Sequence, residues 1–227
     1  MKRKLFFFAT LVLSFLVVSC SNEDQSVISV EKEQSELIKI GYTFGKIHNE
    51  CLAHVYARIS ETNTRVTIDD KGLRETIIAH INEFVASNVS TRSTDIDVSQ
   101  IDTISIAEIR ASLTDKEEYY IGKAITLQRD PALDELLDLV DGDTELPEKN
   151  KLAVICFITT LKASTEYWDE HLDEWMELFN IPRTRGWKEV AFADAWWGYQ
   201  GMISSGLNPW VGGGTAALAS GATLLFG

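Results

Sequence analysis

Residues 147–179, PEKNKLAVICFITTLKASTEYWDEHLDEWMELF, place Val154, Ile158, Leu161, Thr165, Trp168, Leu172, Trp175 and Phe179 at alternating steps of four and three. That spacing puts all eight on one stripe of an α-helix. At 1.5 Å per residue the helix is roughly 50 Å long, long enough to act as a spine for shorter ones. Asn180-Ile181-Pro182 stops it. The fold class follows from this stretch, because no other part of the chain offers a run of comparable strength with strand periodicity.

Working outward, the same period recurs. Leu37, Ile40, Phe44, Ile47, Cys51 and Val55 mark a helix from Glu31 to about Ile59. After the turn-like Asp69-Asp70-Lys71-Gly72, Leu73, Ile77, Ile81 and Phe84 mark a second, ending near Ser87-Asn88. Ser105-Ile106-Ala107-Glu108 and Thr114-Asp115-Lys116-Glu117 fit the capping box, in which hydroxyl and carboxylate reciprocally satisfy amides at a helix start. Asp130-Pro131 marks a further start, with Leu133, Leu136, Leu137 and Val140 as its apolar face. Trp187 opens a helix to about Gly206, and Asn208-Pro209 caps and begins a last one. Residues 88–104, rich in Ser, Thr and Asp, read as a long loop, with a short strand-like alternation at Asp95-Ile96-Asp97-Val98. The expected architecture is all-α, a helical bundle of seven or eight helices with one long central helix.

The amino terminus carries a different kind of information. Lys2, Arg3 and Lys4 form a positive segment, Leu5 to Val18 an apolar stretch too short to span a bilayer stably, and small Ser19 precedes Cys20. This is the layout of a cleaved signal, residues 1–19. Val17-Val18-Ser19-Cys20 resembles the lipobox of bacterial lipoproteins, which implies diacylation of the Cys20 thiol and a new amino terminus there. Ser21-Asn22-Glu23-Asp24 resembles the acidic export tag of Bacteroidetes-type lipoproteins carried to the outer face of the outer membrane. The same four residues also suit a solvated tether, 20–30. Residues 31–227 are then expected to form a single helical domain that includes a helical hairpin at 195–227.

Cleavage would remove three cations, leaving 18 Lys plus Arg against 34 Asp plus Glu, a formal charge of −16. Nucleic acid and anionic headgroups are poor partners for such a surface. The partners expected are the membrane, through Cys20, and an unidentified protein. Cys51 and Cys156 sit in apolar helical patterns where either a bridge or two free thiols is at home. No C-x-x-C, P-loop, G-x-S-x-G, H-E-x-x-H or dinucleotide fingerprint occurs, so the sequence offers no cofactor, metal or catalytic assignment.

The densest polar cluster on an apolar helix is His48-Asn49-Glu50. The pattern Gly45-x-x-His48-Asn49-x-x-Leu52 resembles one near the mature amino terminus of uncharacterised Bacteroidetes lipoproteins with Gly and Ala-rich tails, a kinship that implies no activity. From helix geometry His48 flanks the apolar stripe, half-buried, with Asn49 and Glu50 nearer solvent, and His54 faces Glu50 four residues away. His48 is either a general base of a hydrolase or a hydrogen-bonded structural residue. His48 and His54 lie about 240° apart around the helix, so one metal needs His80 or His171 brought in.

Three further features invite a reading. Asp138, Asp141, Asp143 and Glu145 crowd the loop at Gly142 with hard oxygen ligands, without EF-hand spacing. Glu166, Asp169, Glu170, Asp173, Glu174 and Glu177 give the long helix an acidic side, and Asp102-Thr103-Ile104 resembles a Bacteroidetes O-glycosylation acceptor. After Asp194 no charged residue follows to Gly227, in a stretch dense in Gly and Ala. Small residues let helices touch closely, so this hairpin either packs on the long helix or inserts into a membrane or assembles with copies of itself. Gly212-Gly213-Gly214 is expected to leave the last helix partly irregular.

Overall fold

The computed structural model describes residues 34–61, 70–88, 106–128, 131–180 and 186–226. All belong to one compact unit beginning at Gln34. Among them the structure is eight helices with no strand: α1 (Glu36–Glu61), α2 (Asp70–Asn88), α3 (Ile106–Ala111), α4 (Asp115–Leu127), α5 (Ala132–Gly142), α6 (Glu148–Phe179), α7 (Trp187–Ser204) and α8 (Pro209–Phe226). Cys20, the residues around it, the alternation at 95–98 and the tripeptide 102–104 lie outside the described residues, as do the proposed caps Ser105 and Asp130.

Local chemistry sets several helix ends. Ser35 accepts the Ile38 amide at 3.3 Å at the start of α1. Thr114 and Glu117 complete the capping box of α4. Asn208 accepts the amides of Trp210 at 3.0 Å and Val211 at 3.4 Å, so α8 begins where a side-chain oxygen meets its orphan donors. Asn180 ends α6 in the left-handed conformation, φ 53°.

The long helix α6 changes character along its length. From Leu152 to Leu161 every residue is buried, because α1, α4, α5 and α7 surround this half. Beyond Thr165 burial narrows to Trp168, Leu172, Trp175, Met176 and Phe179, the face turned to α1 and α2 side chains. Every position of the sequence stripe, Val154 to Phe179, is buried.

α1 runs parallel to α6. A Cβ placed on Gly41 would meet Ile155 at 2.5 Å and one on Gly45 would meet the Thr159 carbonyl at 2.9 Å, so two glycines four apart bring the helices into contact. α7 runs antiparallel to α6, and α8 folds back over α7, α1 and α2. The hairpin is therefore packed in the bundle, with a correction: α7 lies on the long helix, but α8 rests chiefly on its own hairpin partner and the amino-terminal helices. Nor is the triple glycine irregular. α8 is continuous, and a Cβ on Gly212 would come within 2.6 Å of Phe44 and one on Gly213 within 2.8 Å of Ile47. Close approach, which offsets the helix-propensity cost, explains these glycines. Trp196 and Trp197 lie mid-helix and buried, and only Trp210 stands near the hairpin tip. No helix among the described residues is long and apolar enough to cross a membrane.

Candidate functional site

Four helices meet at one buried carboxylate. Asp194, midway along α7, is fully buried, as are His48 of α1, Ser164 of α6 and Ser220 of α8. Its Oδ2 accepts the Ser164 hydroxyl at 2.5 Å and the Trp168 indole N–H at 2.9 Å, and lies 3.2 Å from His48 Nε2. Its Oδ1 accepts the Ser220 hydroxyl. Ser220 Oγ also stands 3.4 Å from His48 Nε2. The four donors saturate the carboxylate, which is what a buried anion requires.

Asn49 orients the ring from the other side. Its Nδ2 donates to the Ala163 carbonyl at 3.1 Å, which turns Oδ1 toward His48 Nδ1 at 2.8 Å. A carbonyl oxygen only accepts, so Nδ1 donates. Ser220 spends its proton on Asp194, so Nε2 also faces acceptors only. The hydrogen-bond network thus orients the ring between Asn49 and Asp194, with Nε2 turned to the carboxyl group.

Composition alone, Ser, His and Asp, suggests nucleophilic catalysis; the arrangement does not. In a catalytic triad the base links nucleophile to carboxylate through opposite ring nitrogens. Here Ser220 and Asp194 share Nε2, the hydroxyl bonds the carboxylate directly, and none of the groups touches solvent. The expectation that His48 is half-buried is corrected: the residue is sealed, because α8 covers the side of α1 that a two-helix reading leaves open. Asn49 turns inward rather than to solvent, and only Glu50 is exposed, 3.5 Å from Lys46.

The other histidines are dispersed. His54 faces Glu83 of α2 at 3.6 Å rather than Glu50, and His80 faces the same carboxylate at 3.3 Å. Arg58 binds both oxygens of Glu83, at 2.5 and 3.2 Å, and holds that carboxyl down to about 2. His171 lies against Glu174 at 3.1 Å and the Tyr167 ring at 4.6 Å. Among the described residues no group of three His, Cys, Asp or Glu side chains is placed to hold a metal ion.

The acidic loop after α5 is organised by a cation of the chain itself. Lys116 bonds Asp143 at 2.7 and 2.9 Å and reaches Glu145 at 2.7 Å. Tyr120 and the amides of Glu145 and Leu146 complete the Asp143 shell. The Lys116 bond, then the backbone donors, hold Asp143 well below the usual carboxylate range, and Lys116 is pushed up to about 12. Of the four loop carboxylates, those of Asp143 and Glu145 are engaged by these donors. On α6, Glu166, Asp169, Glu170, Asp173, Glu174 and Glu177 are all exposed.

A second buried carboxylate escaped the sequence reading except as a cap. Glu117, 1% exposed, accepts Thr114 N–H at 2.8 Å and its hydroxyl at 2.7 Å on Oε2, and Asn150 at 2.9 Å and Tyr199 at 2.7 Å on Oε1. Burial pushes this carboxyl up, and the bonds from Thr114, Tyr199 and Asn150 outweigh it, leaving it below its ordinary value. Cys51 and Cys156 are free and buried in different core clusters, and burial raises both thiols.

Comparison with family models, with curated proteins and with solved structures finds no match for this chain.

Proposed function

We propose that this protein is a lipid-anchored helical module of the bacterial outer membrane, of the Bacteroidetes lipoprotein type, that works by binding a partner rather than by catalysis. The anchor rests on the positive segment, the apolar stretch and Val17-Val18-Ser19-Cys20. The observation that carries the non-catalytic part is the sealing of His48, Asp194, Ser164 and Ser220 with every strong donor and acceptor matched inside the protein. A hydrolase needs its base and nucleophile within reach of a substrate. The binding surface is the exposed acidic side of α6, which suits a basic partner.

The experiment has two readouts. Mass spectrometry of the protein purified from membranes is expected to show acylated Cys20 as the first residue; an unmodified cysteine refutes the anchor. Capture from native outer membranes by the tethered chain is expected to recover a partner that is lost when Glu166, Asp169, Glu170 and Asp173 are changed to Lys. Retention of that partner by the charge-reversed chain refutes the surface.

A further inference from the structure

We propose that the tip of the α7–α8 hairpin, residues 203–211, rests on the headgroup region of a zwitterionic lipid bilayer and sets the orientation of the domain on it, an inference that depends on the lipid anchor proposed above. Three observations converge on this tip. Ile203, Leu207, Pro209, Trp210 and Val211 are each only half-buried there, and no charged side chain occurs from residue 195 to 227. An apolar, uncharged surface with a tryptophan suits the boundary between headgroups and acyl chains, where the indole body and its N–H are both accommodated.

The second observation is the place where the chain enters the domain. Leu207 packs with Leu37 and Ile40, from the first turns of α1, against the cluster of Phe44, Leu152, Cys156 and Met202. The segment leading from Cys20 therefore joins the bundle at the end that carries the tip. An acylated Cys20 would tether the domain by this end, through residues 21–33, which extend at most about 45 Å.

The third is the shape of the tip. Gly206 and Leu207 both lie in the left-handed region, φ 68° and 72°. Leucine rarely adopts that conformation, and the Leu207 amide bonded to the Met202 carbonyl at 2.9 Å, with Asn208 capping α8, fixes it. The turn holds its apolar side chains part in and part out, with Leu207 against one core cluster and Trp210 beside the Phe84 ring at 6.0 Å.

The test uses the native tryptophans. Trp168, Trp175, Trp196 and Trp197 are buried, leaving Trp210 at the tip and Trp187 at the opposite end of α7. The acylated protein is reconstituted in phosphatidylcholine vesicles containing dibrominated lipid, and quenching of indole emission is measured for the native chain, Trp210→Phe and Trp187→Phe. Trp210→Phe is expected to lose about half or more of the quenching and Trp187→Phe to keep it. If mass spectrometry shows an unacylated Cys20, the anchor reading fails by itself. The mature chain is then coupled through Cys20 to a maleimide-bearing lipid, Cys51 and Cys156 being buried, and the same comparison is read. Equal quenching in all three proteins while they float with the vesicles overturns the inference. So does protection of Trp210 that appears only at high protein density, as contact with a second copy would give. A reading without variants is amide exchange at 205–211, expected to slow on vesicles; unchanged exchange there likewise overturns the proposal.

Discussion

Removing the carboxylate of Asp194 should come close to unfolding the protein, whereas converting it to an amide should not. Asp194→Ala strands the hydroxyls of Ser164 and Ser220, the Trp168 indole N–H and the His48 ring in a region without solvent contact. Each hydrogen-bonding group left buried without its partner costs about 1–3 kcal/mol. A domain of this size is stable by about 5–15 kcal/mol, so much of the margin goes. Asp194→Asn keeps one acceptor oxygen and the shape, and Ser220 is able to turn its hydroxyl to accept from the new amide; we expect a loss of about 1–3 kcal/mol. Urea unfolding followed by circular dichroism and tryptophan emission measures both, with Trp168 reporting on the site itself. A third variant, His48→Leu with Asp194→Leu, removes both polar partners and should recover part of the loss suffered by Asp194→Ala. Indistinguishable midpoints for wild type and Asp194→Ala would refute the view that this network holds the four helices in register.

Close packing of the hairpin predicts that Gly212→Ala, whose Cβ would lie 2.6 Å from the buried Phe44 ring, lowers stability by about 1–3 kcal/mol. Gly142→Ala, with open space around it, should be neutral or slightly stabilising in the same thermal melts. The Glu83 carboxyl, held at about 2 by Arg58 and then His80, contributes stability above its unfolded value, near 4.5. That contribution is lost as pH falls from about 4.5 towards 2, so Glu83→Gln should flatten this part of the stability profile; an unchanged acid limb contradicts the assignment. Cys51 and Cys156, free and buried, should resist a thiol-specific reagent in the native protein and react in denaturant. A disulfide in the non-reduced protein would contradict the structure.

The sequence carried the fold because hydrophobic periodicity is local. The stripes at Leu37 to Val55, Leu73 to Phe84 and Val154 to Phe179 each needed only one helix to be read, and the capping box at Thr114 needed four residues. The polar centre was not local in that sense. His48 drew notice as a polar residue on an apolar helix, but Asp194, Ser164 and Ser220 belong to three other helices up to 172 residues away from it. One signal was present: Asp194 is the only charge between Glu189 and the end of the chain. A lone carboxylate in a run of apolar and small residues calls for donors from elsewhere. Glu117 hid for a different reason, since its capping role accounts for one oxygen and conceals the Asn150 and Tyr199 bonds to the other.

The two buried carboxylates also explain how so small-sided a hairpin finds one position. A seam of Gly, Ala and Ser contributes close contact but few distinctive shapes, and a slide of one turn along it would exchange one small residue for another. Tyr199 bonded to Glu117 fixes α7 against α4, while Asp194 bonded to Ser164 and Ser220 fixes α7 against α6 and α8. A slide of one turn, about 5.4 Å, breaks both sets, takes Asp194 away from its donors on the neighbouring helices and leaves Glu117 with Thr114 and Asn150 alone. The register of the hairpin is thus set by Asp194 and Tyr199, and its small residues are free to serve contact alone.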